Sequence, residues 1–377
     1  MKVAIIAPEY PPEFGGMQTY AYEFAKTLIK KGYSVEVFTK NMPDSGDIID
    51  DEKIIVHRVL TLRRKYDSHF LEPYDFDVWH VMNASYSWIC KIKENVIVSV
   101  HGNDFLRPYL LIERLDLQKM PVLWRFNRIV SKVDKYIGQL RTNYTVKHCL
   151  PKVKHIISNS KYTAEKLYEK YPDCKPITTI AYVGVSDFFL KEPLKIKENT
   201  KKINFLTVCR LSEERKNVAK VITALSKLKD SDFHYYVIGD GRLKSELELL
   251  AKKSGLPDKV TFLGHTDFDT LKQYMTQADL FILVSSIEEN SHEGFGIVYL
   301  EANACGTPVL AARLAGAIEA VDESKSGFFV KGTDVNSIKL SLEEFMSGKQ
   351  KFDVEECRQF AEKFSWERVV EHAISYY

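Results

Sequence analysis

Two series of short apolar runs divide the chain, each run closed by glycine or small polar residues and followed by residues at helical spacing. In the first series, residues 2–7, 34–39, 54–59, 77–81, 96–100, 155–158 and 177–182 read as strands. Unbroken apolar runs of this length fit strands buried on both faces of a parallel sheet. Gly15 and Gly16 open a helix over 18–31 that Gly32 ends, and Asn159 and Ser160 stand as caps before a helix over 163–170. A strand, a glycine turn and a helix in that order put the turn at the carboxyl end of the sheet, where open α/β sheets bind ligands.

Residues 190–202, LKEPLKIKENTKK, are charged and poor in branched side chains apart from Ile196, and read as a linker. A second series follows, with strands at 203–208, 235–238, 260–263, 279–285, 309–312 and 327–330. Helices are expected over 218–228, 243–254, 269–276 and 297–304. The expected architecture is two Rossmann-like α/β halves with a cleft between them. A last helix over 366–377 carries Trp366, Val369, Val370 and Ile374 on one face and is expected to pack back on the first half.

A chain of 377 residues suits two domains of ordinary size, and 45% hydrophobic with 28% charged residues is a soluble composition. A net charge of +2 gives no global field for nucleic acid, so any basic function is local. Six cysteines without a CxxC pair or His/Cys ligand spacing read as reduced thiols, which points to the cytoplasm. The first apolar run stops at Pro8 and Glu9, too short for a signal peptide, and no stretch approaches the roughly 18 apolar residues of a spanning helix. One local feature stands out. Residues 119–154 hold nine lysines and arginines against one acid, Asp134. On a helix over 121–136, Val122, Phe126, Ile129 and Val133 share one face, and Arg125, Arg128, Lys132 and Lys135 another. Two readings stay open: a peripheral contact with the inner face of a membrane, or a core-packed helix with a solvated charged face.

The densest chemistry lies in 285–316, SSIEENSHEGFGIVYLEANACGTPVLAARLAG. A buried strand leads into an acidic loop, Gly294-Phe295-Gly296 turns the chain, and a helix begins at Ile297 and Val298. The free N–H groups of a first turn and the positive end of the helix dipole suit a phosphate. Glu293 and Glu301 bracket that turn, and a carboxylate can accept from two adjacent sugar hydroxyls. Anion and hydroxyls together suggest a sugar nucleotide. Arg210 and Lys216, just past the first strand of the second half, could hold a diphosphate as it departs. A salt-bridge cluster with Glu213 and Glu214 is the plainer alternative. Gly239-Asp240-Gly241 is either a phosphate-side turn or only a tight turn. Gly15 and Gly16 either admit a ligand or only let a helix pack closely. His101 follows an apolar strand and precedes a glycine, which favours a cleft position over a core one. Asp104 reads equally as a helix cap. The chain holds no GxSxG elbow, HExxH or Walker lysine loop.

These motifs resemble the retaining glycosyltransferases of family 4. The likeness runs through APEYPPEFGGMQTYAYEFAKTL, VSVHGND, ISNSKYTAEKL, RLSEERKN, VIGDGRLKSELE and FLGH to HEGFGIVYLEANACGTPV, the family's E-x7-E motif, and a closing FSWE segment. Bacterial phosphatidylinositol mannosyltransferases and capsule or lipopolysaccharide transferases look most similar. The resemblance implies the GT-B fold, two facing Rossmann-like domains with a C-terminal crossover helix. Residues 1–190 with 364–377 would form the acceptor side, and 200–362 the donor side. It implies a nucleoside diphosphate sugar as donor, a glycan or lipid-linked acceptor, and neither a metal nor another cofactor. Arg210 and Lys216 would grip the diphosphate, and Glu293 the sugar hydroxyls. Gly294, Phe295, Gly296, Ile297 and Val298 would present backbone N–H groups, and Glu301 would hold the ribose. Leu263 to His265 would line the base pocket, with Gly239 close to it. His101 would sit by the transferred sugar, and Gly15 and Gly16 near the diphosphate. Cys209 and Asn217 stand where the family has glycines, and Val183-Gly184-Val185-Ser186 replaces an NGVD-like turn. Rival readings are a nucleotide-sugar epimerase or phosphorylase on the same fold, and a non-catalytic sugar-nucleotide binder.

Overall fold

The computed structural model describes residues 1–12, 15–42, 48–49, 53–119, 127–191, 194, 202–289 and 291–377. They form two units, Met1–Val183 with Trp366–Tyr377, and Gly184–Ser365.

The first unit is built on β1 (Lys2–Ile6), β2 (Ser34–Lys40), β3 (Ile48–Ile49), β4 (Ile55–Leu60), β5 (Val78–Val81), β6 (Val96–Val100), β7 (His155–Ser158) and β8 (Thr178–Ile180). Their order is β3-β4-β2-β1-β5-β6-β7-β8, parallel throughout except where β3 pairs antiparallel with β4. Helices α1 (Gly16–Lys30), α2 (Arg64–Leu71), α3 (Asn103–Leu106), α4 (Asn127–Cys149) and α5 (Lys161–Lys170) accompany the sheet. Every residue of β5 and β6 is buried, which is why these strands read as unbroken apolar runs. The chain runs from β1 to β2 on one side and reaches β5 on the other. The crevice this reversal opens lies at the carboxyl ends of β1 and β5.

The second unit holds α6 (Asp187–Leu190), β9 (Ile203–Val208), α7 (Val218–Ser226), β10 (Phe233–Ile238), α8 (Lys244–Lys253), β11 (Val260–Gly264), α9 (Phe268–Gln277) and β12 (Leu280–Leu283). It continues with α10 (Ile297–Ala304), β13 (Val309–Ala312), β14 (Gly327–Val330), α11 (Val335–Met346) and α12 (Val354–Ala361). Its sheet, β11-β10-β9-β12-β13-β14, is parallel throughout, and its reversal falls between β9 and β12. Phe205, Val237, Ile282, Leu310 and Phe328 fill its core.

Two expectations need correcting. The chain leaves the first unit at Val183, ahead of the polar run at 190–202. Helix α6 already belongs to the second unit, where Phe189 is buried and the Phe188 carbonyl accepts from Lys272 Nζ at 2.8 Å. Of the run itself, 192–193 and 195–201 lie outside the described residues. The basic helix expected over 121–136 also differs. Residues 121–126, with Val122, Arg125 and Phe126, lie outside the described residues, and the helix continues to Cys149. Its inward face is not the apolar one. Asp134 is fully buried, accepting from Arg114 Nε at 3.1 Å and Leu115 N at 2.9 Å, while Ile129 and Val133 are exposed.

The last helix, α13 (Trp366–Ile374), belongs to the first unit and buries Trp366, Val369, Val370 and Ala373. The Trp366 ring meets Tyr20 of α1 edge to face at 5.2 Å. Three histidines fasten the segment. His80 Nδ1 is 2.7 Å from the Tyr377 hydroxyl, His155 stacks on Tyr376 at 3.5 Å, and Thr179 Oγ1 lies 2.8 Å from both His155 Nε2 and His372 Nε2. Burial, helped by the charge of its neighbour His372, pulls His155 down to about 4, and burial lowers His372 as well. A folded-state value below the unfolded value of about 6.5 means that the unfolded chain takes up protons first. The stabilisation is therefore present above about pH 6.5 and is lost as pH falls through the folded values. Urea unfolding followed by circular dichroism should show the midpoint falling between about pH 7 and pH 5, with a shallower fall in His155→Gln. A midpoint flat across that window in the unmodified chain would count against the histidine fastening.

Candidate active site

At the reversal of the second sheet, the loop after β9 and the loop after β12 are stitched together. The chain leaves β9 through Cys209 and Arg210, makes a 3-10 turn over Glu214–Lys216, and enters α7 at Asn217. Asn217 has φ 57°, in the left-handed region. Asparagine tolerates that region better than most residues, and a glycine would adopt it freely. Its side chain adds what a glycine lacks: Nδ2 donates to the Val284 carbonyl at 2.7 Å and to Ser286 Oγ at 2.6 Å. The Arg215 carbonyl in turn accepts from Ser286 N at 2.7 Å.

Across this seam sits an ion-pair knot. Glu293 Oε2 accepts from Lys216 Nζ at 2.6 Å and from Ser285 Oγ at 3.2 Å, and Arg215 Nη1 lies 3.6 Å away. Arg215 is buried and also pairs with Glu213. Burial alone would push the Glu293 carboxyl up. The charges of Lys216 and Arg215, with the hydrogen bonds from Lys216 and Ser285, outweigh it and bring the group down to about 2. Glu293 is therefore ionised at any ordinary pH.

Beyond Glu293 the chain turns into α10 at Gly296, whose φ of 94° is left-handed and whose position leaves no room for a Cβ, which would stand 2.4 Å from the Tyr299 ring. Among the described residues no side chain caps the helix, so its first turn at Ile297 and Val298 keeps N–H groups for an anion. Tyr299 anchors the turn, its hydroxyl donating to the Leu283 carbonyl at 2.7 Å. Gly316 supports the loop from behind: its N–H donates to the Glu293 carbonyl at 3.0 Å, and a Cβ there would come within 2.1 Å of the Gly294 carbonyl oxygen.

The remaining expected residues divide clearly. Lys216 and Glu293 are in contact, Arg210 is exposed at the end of β9, and Phe295 and Glu301 are buried. Glu214 pairs with Arg242 and Glu213 with Arg215, while Lys216 pairs with Glu293. Gly239 is a packing glycine. Its N–H donates to the Gly264 carbonyl at 2.8 Å, and a Cβ would stand 1.9 Å from the Cys209 carbonyl oxygen. Leu263 and His265 flank Gly264 at the end of the edge strand β11, with His265 exposed. Arg215, Ser285 and Gly316 escaped the sequence reading. A glycine in a loop that follows the motif was the one available signal.

In the first unit, Gly16 begins α1, and among the described residues no atom lies within 4 Å of where a Cβ would be; Gly15 precedes it as the helix cap. His101 follows β6, its ring edge to face with Tyr20 at 4.6 Å. Burial pulls it down to about 3, so its imidazole is neutral. His101 Nε2 is buried and has no hydrogen-bond partner among the described residues. Asp104 does more than cap α3: it accepts from His101 N and from Ala84 N, both at 2.9 Å, and so ties the loops after β6 and β5 together.

Residues 14–182 match the family model for Glycosyltransferase Family 4, and residues 189–364 match Glycosyl transferases group 1, in register with the two units. The chain belongs to the family 4 glycosyltransferases. Over its whole length the glycosyltransferase is 26% identical to an uncharacterised glycosyltransferase of Methanocaldococcus jannaschii, of which it covers 98%. Over 92% of its length it is 25% identical to a GDP-mannose-dependent monoacylated α-(1-6)-phosphatidylinositol monomannoside mannosyltransferase of Corynebacterium glutamicum, of which it covers 88%. The fold is shared with Anabaena HepE, solved in complex with UDP-glucose, at a TM-score of 0.70 and 16% identity, over 100% of this chain and 98% of that one.

Asn217 offers a test of the seam by urea unfolding. Asn217→Ala loses both side-chain bonds and strains a left-handed backbone, and should cost about 2 kcal/mol. Asn217→Gly loses the bonds alone and should cost distinctly less. Equal costs would remove the backbone part of the account.

Proposed function

We propose that this glycosyltransferase moves a hexosyl unit from a UDP- or GDP-hexose to an acceptor hydroxyl with retention at the anomeric carbon. The acceptor belongs to polysaccharide, glycolipid or cell-envelope glycan synthesis. The observation that carries the reading is the ionised Glu293, held by Lys216 and Arg215 at the foot of a helix tip that no described side chain caps. A fixed carboxylate beside free backbone donors suits a sugar's hydroxyls on one side and a phosphate on the other. The GDP-mannose named for the Corynebacterium relative and the UDP-glucose bound to Anabaena HepE support this class of donor.

In this mechanism Arg210 and Lys216 neutralise the diphosphate, and the first turn of α10 receives one phosphate. Glu301 holds the ribose, Leu263 to His265 border the base, and Glu293 orients the sugar. The bond from the anomeric carbon to the phosphate oxygen breaks, and its electron pair stays on the leaving diphosphate. The acceptor oxygen bonds to the same carbon on the same face, and its proton passes to the departing phosphate. The increase of charge on that phosphate is what the cations stabilise. His101, neutral and with Nε2 unpaired among the described residues, would hold a hydroxyl of the transferred sugar.

This mechanism uses no metal. Asp-x-Asp triplets, a pattern that can seat a divalent cation against a diphosphate, do occur at 75–77, 230–232 and 267–269. Asp267 is engaged as the cap of α9, accepting from Thr270 N at 2.7 Å. Transfer should persist in excess EDTA, and loss of activity restored by a divalent cation would overturn metal independence.

Purified enzyme should consume one nucleotide hexose from a UDP, GDP and ADP panel and yield product of unchanged anomeric configuration by NMR. Glu293→Gln, which keeps shape and removes charge, should lower kcat/KM by about a hundredfold or more. Inverted product would sink the retaining mechanism. Conversion of the donor sugar without an acceptor would favour an epimerase, and full turnover by Glu293→Gln would displace the site.

A further inference from the structure

Six cysteines are scattered through the sequence, and the fold brings two of them together. Cys90 stands near the end of the 3-10 segment Ala84–Lys91 that follows β5, and Cys149 is the last residue of α4. They are 59 residues apart in sequence, yet the Cys90 thiol donates to the Cys149 carbonyl at 3.6 Å. The two thiols are also hydrogen-bonded to each other, and both are free. Cys149 lies in the core of the first unit beside Val146 and Leu150, with Cys90 packed against it. Cys149 is fully buried and Cys90 half-buried, so a small reagent meets Cys90 first.

The charged neighbours of this pair are cations. Lys91 follows Cys90 directly, Lys152 lies just past Cys149, and Arg64 at the start of α2 acts on the same place. The hydrogen bond from Cys90 outweighs burial, with help from the charges of Lys91 and Arg64 and a hydrogen bond from Lys91, and brings the Cys149 thiol down to about 7. That same hydrogen bond, with burial, pushes the Cys90 thiol up. Near neutral pH the two sulfurs therefore share one proton. Other cysteines go the opposite way: burial pushes Cys174 and Cys209 up to about 12, and Cys305 up to about 11. A thiolate among cations, touching a second sulfur, is what thiol–disulfide exchange requires. Apolar packing alone requires neither the cations nor the second sulfur.

We propose that Cys90 and Cys149 are a redox-active dithiol, in which Cys90 reacts with a small-molecule disulfide and Cys149 resolves the adduct. The proton first moves from Cys90 to Cys149 along their hydrogen bond. The Cys90 thiolate then attacks one sulfur of the reagent, whose S–S bond breaks and releases one small thiolate. That thiolate takes the proton from Cys149, which attacks Cys90 Sγ and expels the second small thiolate, protonated by water. The protein loses two electrons and two protons, and the reagent gains them as two thiols. The resulting bridge fastens the end of α4 to the segment whose first residue, Ala84, is tied to Asp104. This goes beyond the transfer reaction and stands without it, since neither cysteine belongs to the proposed donor site.

The test treats the full chain with oxidised glutathione and reads a non-reduced peptide digest by mass spectrometry. A peptide linked through Cys90 and Cys149 should form at least about ten times faster than any product at Cys174, Cys209, Cys305 or Cys357. Excess reduced glutathione should return the dithiol. Cys149→Ser, which removes the resolving sulfur, should stop at a glutathione adduct on Cys90, and Cys90→Ser should leave Cys149 unmodified. The linked peptide is read in the unmodified chain, so the result stands even if a serine variant fails to fold. No linked peptide, equal labelling of all six thiols, a bridge that reduced glutathione does not open, or an adduct on Cys149 in Cys90→Ser would overturn the proposal.

Discussion

The contact between Lys216 and Glu293 joins the two loops at the reversal of the second sheet. A carboxylate in this half-buried setting is costly unless a cation reaches it, and two do. Lys216 can reach Glu293 because the 3-10 turn over Glu214–Lys216 ends in a left-handed residue that reverses the chain into α7. Asn217 meets that backbone requirement, and it adds two hydrogen bonds to the opposite loop. Compared with a glycine, Asn217 thus gives up backbone freedom for a cross-loop tie. On the far side, Gly316 and Tyr299 hold the loop where its carboxylate and helix tip lie next to each other. The knot and the two glycines, Gly296 and Gly316, each have a reason that does not depend on a ligand being present.

The first unit follows the same topological rule with different chemistry. Its loops at the carboxyl ends of β5 and β6 are tied by Asp104 rather than by an ion pair, and burial raises that carboxyl to about 6 even against its backbone donors. His101 is held neutral by the same dry surroundings, behind Tyr20. One unit thus presents fixed charge and the other a neutral hydrogen-bonding group.

The strands of both sheets were legible because parallel strands are buried on both faces and therefore appear as unbroken apolar runs. β5 and β6 in the first unit and β12 and β13 in the second are examples. The helix tip at Gly296 was legible because the turn needs glycine and the carboxylates flank it in sequence. What stayed hidden was which of the neighbouring charges in EERK turn inward. Arg215 lies between Glu214 and Lys216 with nothing local to mark it, and its burial is decided by Glu213 and Glu293, the second of them 78 residues further along the chain. Gly239 shows the converse ambiguity, since its G-x-G context left a ligand turn and a tight turn open while the neighbouring Cys209 carbonyl already requires the glycine.

Helix α4 exposes the deeper limit of reading faces from hydrophobicity. Periodicity reports which residues share a side, not which side meets the core. Here the core side was chosen by Asp134, Thr142 and Thr145, whose partners Arg114 and Glu113 lie in a separate stretch of chain. A polar face can win that competition because its hydrogen bonds are made with fixed geometry on an already ordered unit, and leaving Asp134 unpaired would cost more than exposing several aliphatic side chains. The apolar residues are then left outside without being needed for folding. Residues that fold the helix and residues that colour its outer surface are therefore separate sets, and the outer set can change without disturbing the inner one.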